Sequence, residues 1–251
     1  MCSDARILLP LLLWAVSCSV KEDRTACPCS LELDIAWSES APLFLRVQGE
    51  DYCRDFTVER DTVLMVDAPR PWALVTAEGG VSAFPEGEEI RIPDGEEAPP
   101  LFLFTGSVST AGEQARLVVL PHKEYCRAGL TFRGPPGYGP PFEVRVVGTV
   151  DGWTLAGKPL PGPFSCNFTL DGEGTASCRL PRQRDDSLLM QIVFGDRVVR
   201  TFALGEYLAA AGYDWSAPSL EDTTLEMDIS LTEMNLQLDL WIGSRHLEIL
   251  V

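Results

Sequence analysis

Apolar and polar residues alternate with a period of two along nearly the whole chain. That is the mark of strands with one buried face, because successive side chains of an extended backbone point to opposite sides. Leu31-Glu32-Leu33-Asp34-Ile35-Ala36-Trp37 sends Leu31, Leu33, Ile35 and Trp37 one way and its acids the other. Runs of the same kind cover 43–47, 56–60, 62–66, 72–76, 89–92, 101–105 and 116–120, separated by Pro, Gly and Asp clusters that end strands and make turns. After a junction at 121–125 a second series covers 130–132, 142–146, 165–170, 175–180, 188–194, 197–202, 225–231, 234–242 and 247–251. The Gly-Pro run at 134–141 reads as a stiff loop, since strand patterning resumes on both flanks. Gly195-Asp196 predicts a hairpin turn, and so does Asp171-Gly172-Glu173-Gly174, which would set Cys166 opposite Cys178 on adjacent strands. One helix is predicted over 204–211, alanine-rich and stopped by Gly212. Short strands at this spacing predict an all-β chain of two β-sandwich domains, 31–121 and 122–251. The last three strands complete the second core.

Composition agrees with a globular chain rich in turns: 251 residues, 45% hydrophobic, 23% charged, with 21 Gly and 19 Pro. The net charge of -17, from 37 acids against 20 Lys and Arg, argues against nucleic-acid binding, which rests on basic side chains displacing counterions. No apolar run after the N-terminus approaches the roughly 20 residues of a membrane-spanning helix.

The N-terminus reads as an address. Residues 1–17 hold Arg6, an apolar stretch over 7–16 and then Ser17, which is a signal peptide rather than a membrane span. Ala15-Val16-Ser17-Cys18 looks like a lipobox, in which the cysteine sulfur receives a diacylglyceryl group and cleavage leaves that cysteine as an acylated N-terminus. Several acyl chains, at about 0.8 kcal/mol per buried methylene, give stable anchoring where one is marginal. Cys18 is therefore the candidate lipidation site, and 18–30 is a tether. Its Lys21-Glu22-Asp23-Arg24 resembles the charged patch that sends some lipoproteins to the outer face of the outer membrane.

Apart from Cys2 and Cys18, the cysteines are Cys27, Cys29, Cys53, Cys126, Cys166 and Cys178, an even number in an exported chain, and disulfides are expected among them. The spacing singles out only the Cys166/Cys178 pair. A Cys3His zinc site from Cys27, Cys29, His122 and Cys126 is the weaker alternative, because Cys-x-Cys is short for a zinc knuckle and an oxidising compartment consumes thiols. No metal and no cofactor is expected. His122 and His246 are the only histidines, and there is no Gly-x-Ser-x-Gly elbow, His-Glu-x-x-His or phosphate-binding loop. Acid pairs such as Glu88-Glu89 and Asp185-Asp186 read as solvated surface in so acidic a chain, and the acidic turn at 171–174 needs no calcium to explain it. The chain is not expected to be an enzyme or to take a small-molecule substrate.

The mature start, Cys18-Ser-Val-Lys-Glu-Asp-Arg-Thr-Ala-Cys-Pro-Cys followed by an alternating strand, resembles the FimB-type fimbrial anchor family, lipoproteins at the base of type V fimbriae. Three further segments match in order: Pro100-Leu-Phe-Leu-Phe, His122-Lys-Glu-Tyr-Cys126 and Glu206-Tyr-Leu-Ala-Ala-Ala-Gly-Tyr-Asp-Trp215. The resemblance implies two tandem transthyretin-like β-sandwich domains and a lipid on Cys18 holding the subunit in the outer membrane at the cell surface. It also implies a fimbrial stalk subunit (fimbrillin) as partner, joined by β-strand exchange, with fibre length set at this joint. A surface glycan- or peptide-binding lipoprotein is the alternative from another class. Its aromatic platform would be sought among Trp37, Trp72, Trp153, Trp215 and Trp241.

Overall fold

The structure, a computed structural model, describes residues 27–80, 87, 89–133, 142–169, 171, 175–229, 236–242 and 245–250. In chain order the strands are β1 (Cys29–Ile35), β2 (Leu43–Gly49), β3 (Tyr52–Val58), β4 (Thr62–Ala68), β5 (Trp72–Gly79), β6 (Glu89–Arg91), β7 (Phe102–Ser109), β8 (Gln114–Val119) and β9 (His122–Lys123). They continue as β10 (Tyr125–Arg133), β11 (Glu143–Thr154), β12 (Pro159–Phe168), β13 (Thr175–Pro181), β14 (Leu189–Phe194), β15 (Arg197–Phe202), β16 (Thr223–Ile229), β17 (Leu236–Ile242) and β18 (Arg245–Leu250). The helix α1 spans Leu204–Ala210.

The first sandwich packs a three-stranded sheet, β4-β1-β8, against a five-stranded sheet, β3-β2-β5-β7-β9. Alternation in β1 sets the register: Leu31 lies opposite Val66 and Ala115, and Leu33 opposite Leu64 and Leu117. Those leucines, with Ile35 and Trp37, meet Leu43, Leu45, Val75 and Ala77 of the facing sheet in one core. Each fully buried aliphatic side chain contributes roughly 1.5–3 kcal/mol, so the alternating pattern is itself the driving force for the sandwich.

The second sandwich joins β13-β10-β16-β17-β18 to β12-β11-β14-β15. Leu130, Val146, Leu180 and Met190 are at its centre. The chain ahead of residue 121 also contributes to this core. β6 pairs with the end of β11, and Ile90, Ile92, Ala98, Leu101 and Leu103 are buried there. The close approach of β6 requires Gly152, where an added Cβ would lie 2.2 Å from the Ile90 carbonyl oxygen.

The expected hairpin at Asp171 is not a hairpin of one sheet. Cys166 on β12 lies opposite Val146, while Cys178 on β13 lies opposite Ala128, so the two strands belong to opposite sheets. The predicted Cys166–Cys178 disulfide does form, but it staples the two layers together across a Cα–Cα distance of 7.1 Å. Alternation decided the inward face of each strand correctly and carried no information about which sheet each strand would join. β12 begins at Pro159, ahead of the strand expected from 165, and its first half carries Pro159, Pro161 and Pro163. They are tolerated because β12 is the last strand of its sheet, where missing N–H groups forfeit no ladder bonds on the open side. The hairpin turned at Gly195 (φ 59°) and the helix ended by Gly212 (φ 78°) are as the residues predict.

Candidate functional site

The three segments that carried the resemblance converge where the two sandwiches meet. The Glu124 backbone N–H donates to the Leu101 carbonyl at 3.0 Å, and Phe102 pairs with Lys123. The Phe102 ring stands edge-on to Trp37 (5.3 Å) in the first core and to Tyr125 (5.9 Å) in the second, so one side chain joins both. Below it, Glu124 and Arg182 form a buried ion pair with Nε to Oε2 at 2.5 Å. Arg182 also donates to the carbonyls of Trp215 (2.6 Å), Ala217 (2.7 Å), Pro218 (3.0 Å) and Lys123 (3.3 Å). It thereby ties the segment after α1 to β9 and β10. Burial raises the Glu124 pKa against the opposing pull of Arg182.

Cys126 sits beside Tyr213, whose hydroxyl donates to the Glu221 carbonyl at 2.8 Å. Burial pushes the Cys126 thiol up to about 12 and raises the Tyr213 hydroxyl as well. A thiol held protonated is neither a nucleophile nor a ready metal ligand. A groove of ≈ 650 Å³ opens beside this cluster, lined by Glu124, Arg182, Asp185, Asp186 and Tyr213 among others. Its buried arginine, Arg182, and its buried glutamate, Glu124, are already committed to each other. The chemistry of this junction is fastening, because a fully partnered guanidinium fork rigidifies what it binds.

The other sequence candidates do not gather here. Cys18 lies outside the described residues. Cys27 and Cys53 are exposed and Cys29 and Cys126 buried, all four as free thiols, which departs from the expectation of further disulfides. Cys29 sits opposite Ala68 in the first sandwich and Cys126 opposite Leu180 in the second, and that separates the set considered for zinc. Among the described residues no three His, Cys, Asp or Glu side chains converge as metal ligands. Asp171 accepts from the Thr175 backbone N–H at 2.8 Å, while the rest of that turn lies outside the described residues. Of the tryptophans, Trp37, Trp153 and Trp215 are buried, and the Trp241 side chain is outside the described set. Trp72 is 48% exposed and lines a ≈ 470 Å³ groove with Gln48, Glu50, Asp51 and Tyr52. Sequence reasoning missed Arg182. It follows Pro181 in the polar stretch Arg-Gln-Arg-Asp-Asp, where nothing distinguishes a buried arginine from a solvated one.

No family model matches the chain, and no curated protein matches it. Solved structures do. One is the fimbrial anchor protein Mfa2 from Porphyromonas gingivalis, at 11% identity and TM-score 0.62, covering 88% of this chain and 99% of that one. The chain has the fold of Mfa2. A candidate adhesin from Bacteroides thetaiotaomicron matches at 14% identity and TM-score 0.66, covering 89% and 98% of the two chains. A candidate polysaccharide-binding protein (DUF1812) from the same organism matches at 12% identity and TM-score 0.63, covering 88% and 98%. All three share the fold over 88–89% of this chain.

Proposed function

We propose that this chain is a fimbrial anchor subunit, a lipoprotein held in the outer membrane by acyl chains on Cys18 and joined to the first stalk subunit by β-strand exchange. The observation that carries this reading is the fold shared with Mfa2 over 88% of this chain and 99% of that one, in a sequence whose leader ends in a lipobox. Residues 1–17 are then the leader, 18–30 the tether, and the two sandwiches the rigid piece between membrane and fibre. The role is mechanical and not enzymatic, and the joint to the stalk is where fibre length is limited.

The test is to tag the chain internally, extract outer membranes in mild detergent and purify by the tag. Microscopy should show filaments held at one end, and mass spectrometry should show an acylated Cys18 peptide. In the companion variant, Cys18→Ala should leave the fold intact and release the protein from the membrane, because the lipid attaches outside both sandwiches. If the Cys18→Ala protein stays with outer membranes after a high-salt wash, the anchoring reading is wrong.

The exposed Trp72 favours one second reading, a glycan-binding surface lipoprotein, since a solvent-facing indole beside Gln48, Glu50 and Asp51 offers a stacking face with hydrogen-bonding groups around it. Calorimetry with a glycan panel separates the two. Heat that disappears in Trp72→Ala supports the second reading, and none in the wild type removes it.

A further inference from the structure

The sheet edges of the second sandwich are treated unequally. On one side a strap over 94–98 seals two of them. Gly95 bridges to Cys166 on β12, Asp94 accepts from the Ser165 hydroxyl at 3.2 Å, and the Ala98 N–H donates to the Arg179 carbonyl of β13 at 2.9 Å. Prolines further blunt β12. At the other end of the β12-β11-β14-β15 sheet, β15 pairs among the described residues with β14 alone, and its five residues from Arg197 to Thr201 are exposed in unbroken succession. A strand exposed on both faces presents backbone N–H and C=O groups together with its side chains.

Those side chains are two-sided. A register shift between Ile192 and Val193 leaves Val199 as the extra residue and sets Arg197 opposite Phe194 and Arg200 opposite Ile192. Phe194 and Ile192 lie two apart on β14, so both arginines fall on one face. Val198 is opposite Val193 on the other face, and Val199 (60% exposed) adds apolar surface, while Phe194 (59%) shares the arginines' face. Among the described residues neither arginine pairs with a carboxylate, as Arg54, Arg127 and Arg184 also do not, but Arg197 and Arg200 are the two that lie together on an open strand edge. In a chain of net charge -17, two guanidinium groups side by side on an open edge are a local positive patch complementary to an acidic partner.

We propose that β15 is the docking edge for an extended segment of the stalk subunit that carries carboxylates on one face and aliphatic side chains on the other. This rests on the fimbrial reading above and names the strand at which it operates. The segment continues the sheet beyond β15, with backbone hydrogen bonds giving affinity, Arg197 and Arg200 reading the acidic face, and Val198 and Val199 covered by the aliphatic one. Positive charge on β15 also disfavours pairing with a second copy of itself, so the edge is open to a partner yet protected from self-association.

The test uses the full mature chain in detergent and a labelled peptide, acetyl-Thr-Leu-Glu-Leu-Asp-Ile-Thr-amide, followed by fluorescence anisotropy. Binding is expected to weaken at least about tenfold in the Arg197→Glu/Arg200→Glu variant and with rising salt. It is also expected to weaken about tenfold when alternate peptide nitrogens are methylated, which removes ladder donors without touching the protein. Undiminished binding in either case, or no binding by the wild type at about millimolar peptide, overturns the proposal. Filament capture keeps the two readings apart. If the charge-reversed variant captures filaments as well as the wild type, the stalk docks elsewhere, and β15 is refuted while the anchor stands. If the wild type captures none, the anchor reading fails, and the peptide measurement alone decides whether β15 is a docking edge.

Discussion

Replacing Arg182 with methionine tests whether the buried pair is what fastens the two sandwiches. The substitution keeps most of the apolar stem and removes the guanidinium, so Glu124 is left buried opposite nothing, and the carbonyls of Trp215, Ala217 and Pro218 lose their donor. Removing one partner of a buried pair costs about 3–5 kcal/mol. The carbonyls add less, about 1 kcal/mol each at most, because the 214–218 segment can turn some of them toward water. A net loss of about 4 kcal/mol is a large share of the 5–15 kcal/mol typical of a folded chain. With a urea slope of about 2 kcal/mol/M, the midpoint should fall by about 2 M, and hydrogen exchange should rise across 213–222 before the rest of the chain opens.

The decisive comparison is the double variant, Arg182→Met/Glu124→Leu. Breaking the pair strands a charge, whereas deleting both charges strands none, so the double variant should recover at least about 2 kcal/mol relative to Arg182→Met alone. If Arg182→Met costs less than about 1 kcal/mol, or if the two substitutions simply add, Glu124 and Arg182 are not coupled as their 2.5 Å contact requires. The junction would then be held by Phe102 and its aromatic neighbours instead.

Other features give shorter predictions. Glu78 is 1% exposed, neither carboxylate oxygen is hydrogen-bonded among the described residues, and burial raises its pKa from 4.5 to about 7 against the lowering influence of Arg46. Because the folded-state pKa is raised, its contribution is fully present below pH 4.5 and is lost as pH climbs toward about 7. At about 1.4 kcal/mol per pH unit that is up to ~3 kcal/mol. Glu78→Gln should flatten this slope in denaturant melts from pH 4.5 to 8, and an unchanged slope would exclude Glu78 as its source. Cys166→Ala/Cys178→Ala opens a link spanning 12 positions and should lower stability by about 2–3 kcal/mol, read as a thermal shift that reducing agent reproduces in the wild type. Gly152→Ala drives a methyl against the Ile90 carbonyl, and limited proteolysis should then cut within 89–98; resistance equal to the wild type would mean that β6 does not depend on that close approach.

Strand positions were readable because burial in a sandwich imposes period two on each strand separately, and β1, β2 and β8 show it plainly. Sheet membership was not, since it depends on long-range pairing that alternation does not encode. Residues 166–178 illustrate the difference. The cysteine pair was found from local spacing, yet its strands separate into opposite layers. The Gly152 contact with β6 and the burial of Arg182 were hidden for the same reason. Each is fixed by a segment some 60 residues away in sequence, as in the bonds Arg91 to Asp151 and Arg182 to Glu124. The motif segments around Leu101, Glu124 and Tyr213 pointed to one place, although nothing in their own composition says that the place is a joint.

The position of β1 gives the anchor reading a mechanical basis. A pull applied at the tether enters the folded part at Cys29, the first residue of the strand in the middle of the β4-β1-β8 sheet. Its hydrogen bonds run perpendicular to that pull, so the seven residue pairs with β4 and six with β8 bear the load together in shear instead of opening one at a time. From there the load reaches the second sandwich through β6 on β11, through Phe102 and through the Glu124–Arg182 pair. On the anchor reading proposed above these links carry the load to the fibre, and the same variant that tests the ion pair, Arg182→Met, should therefore shed fimbriae under shear sooner than the wild type.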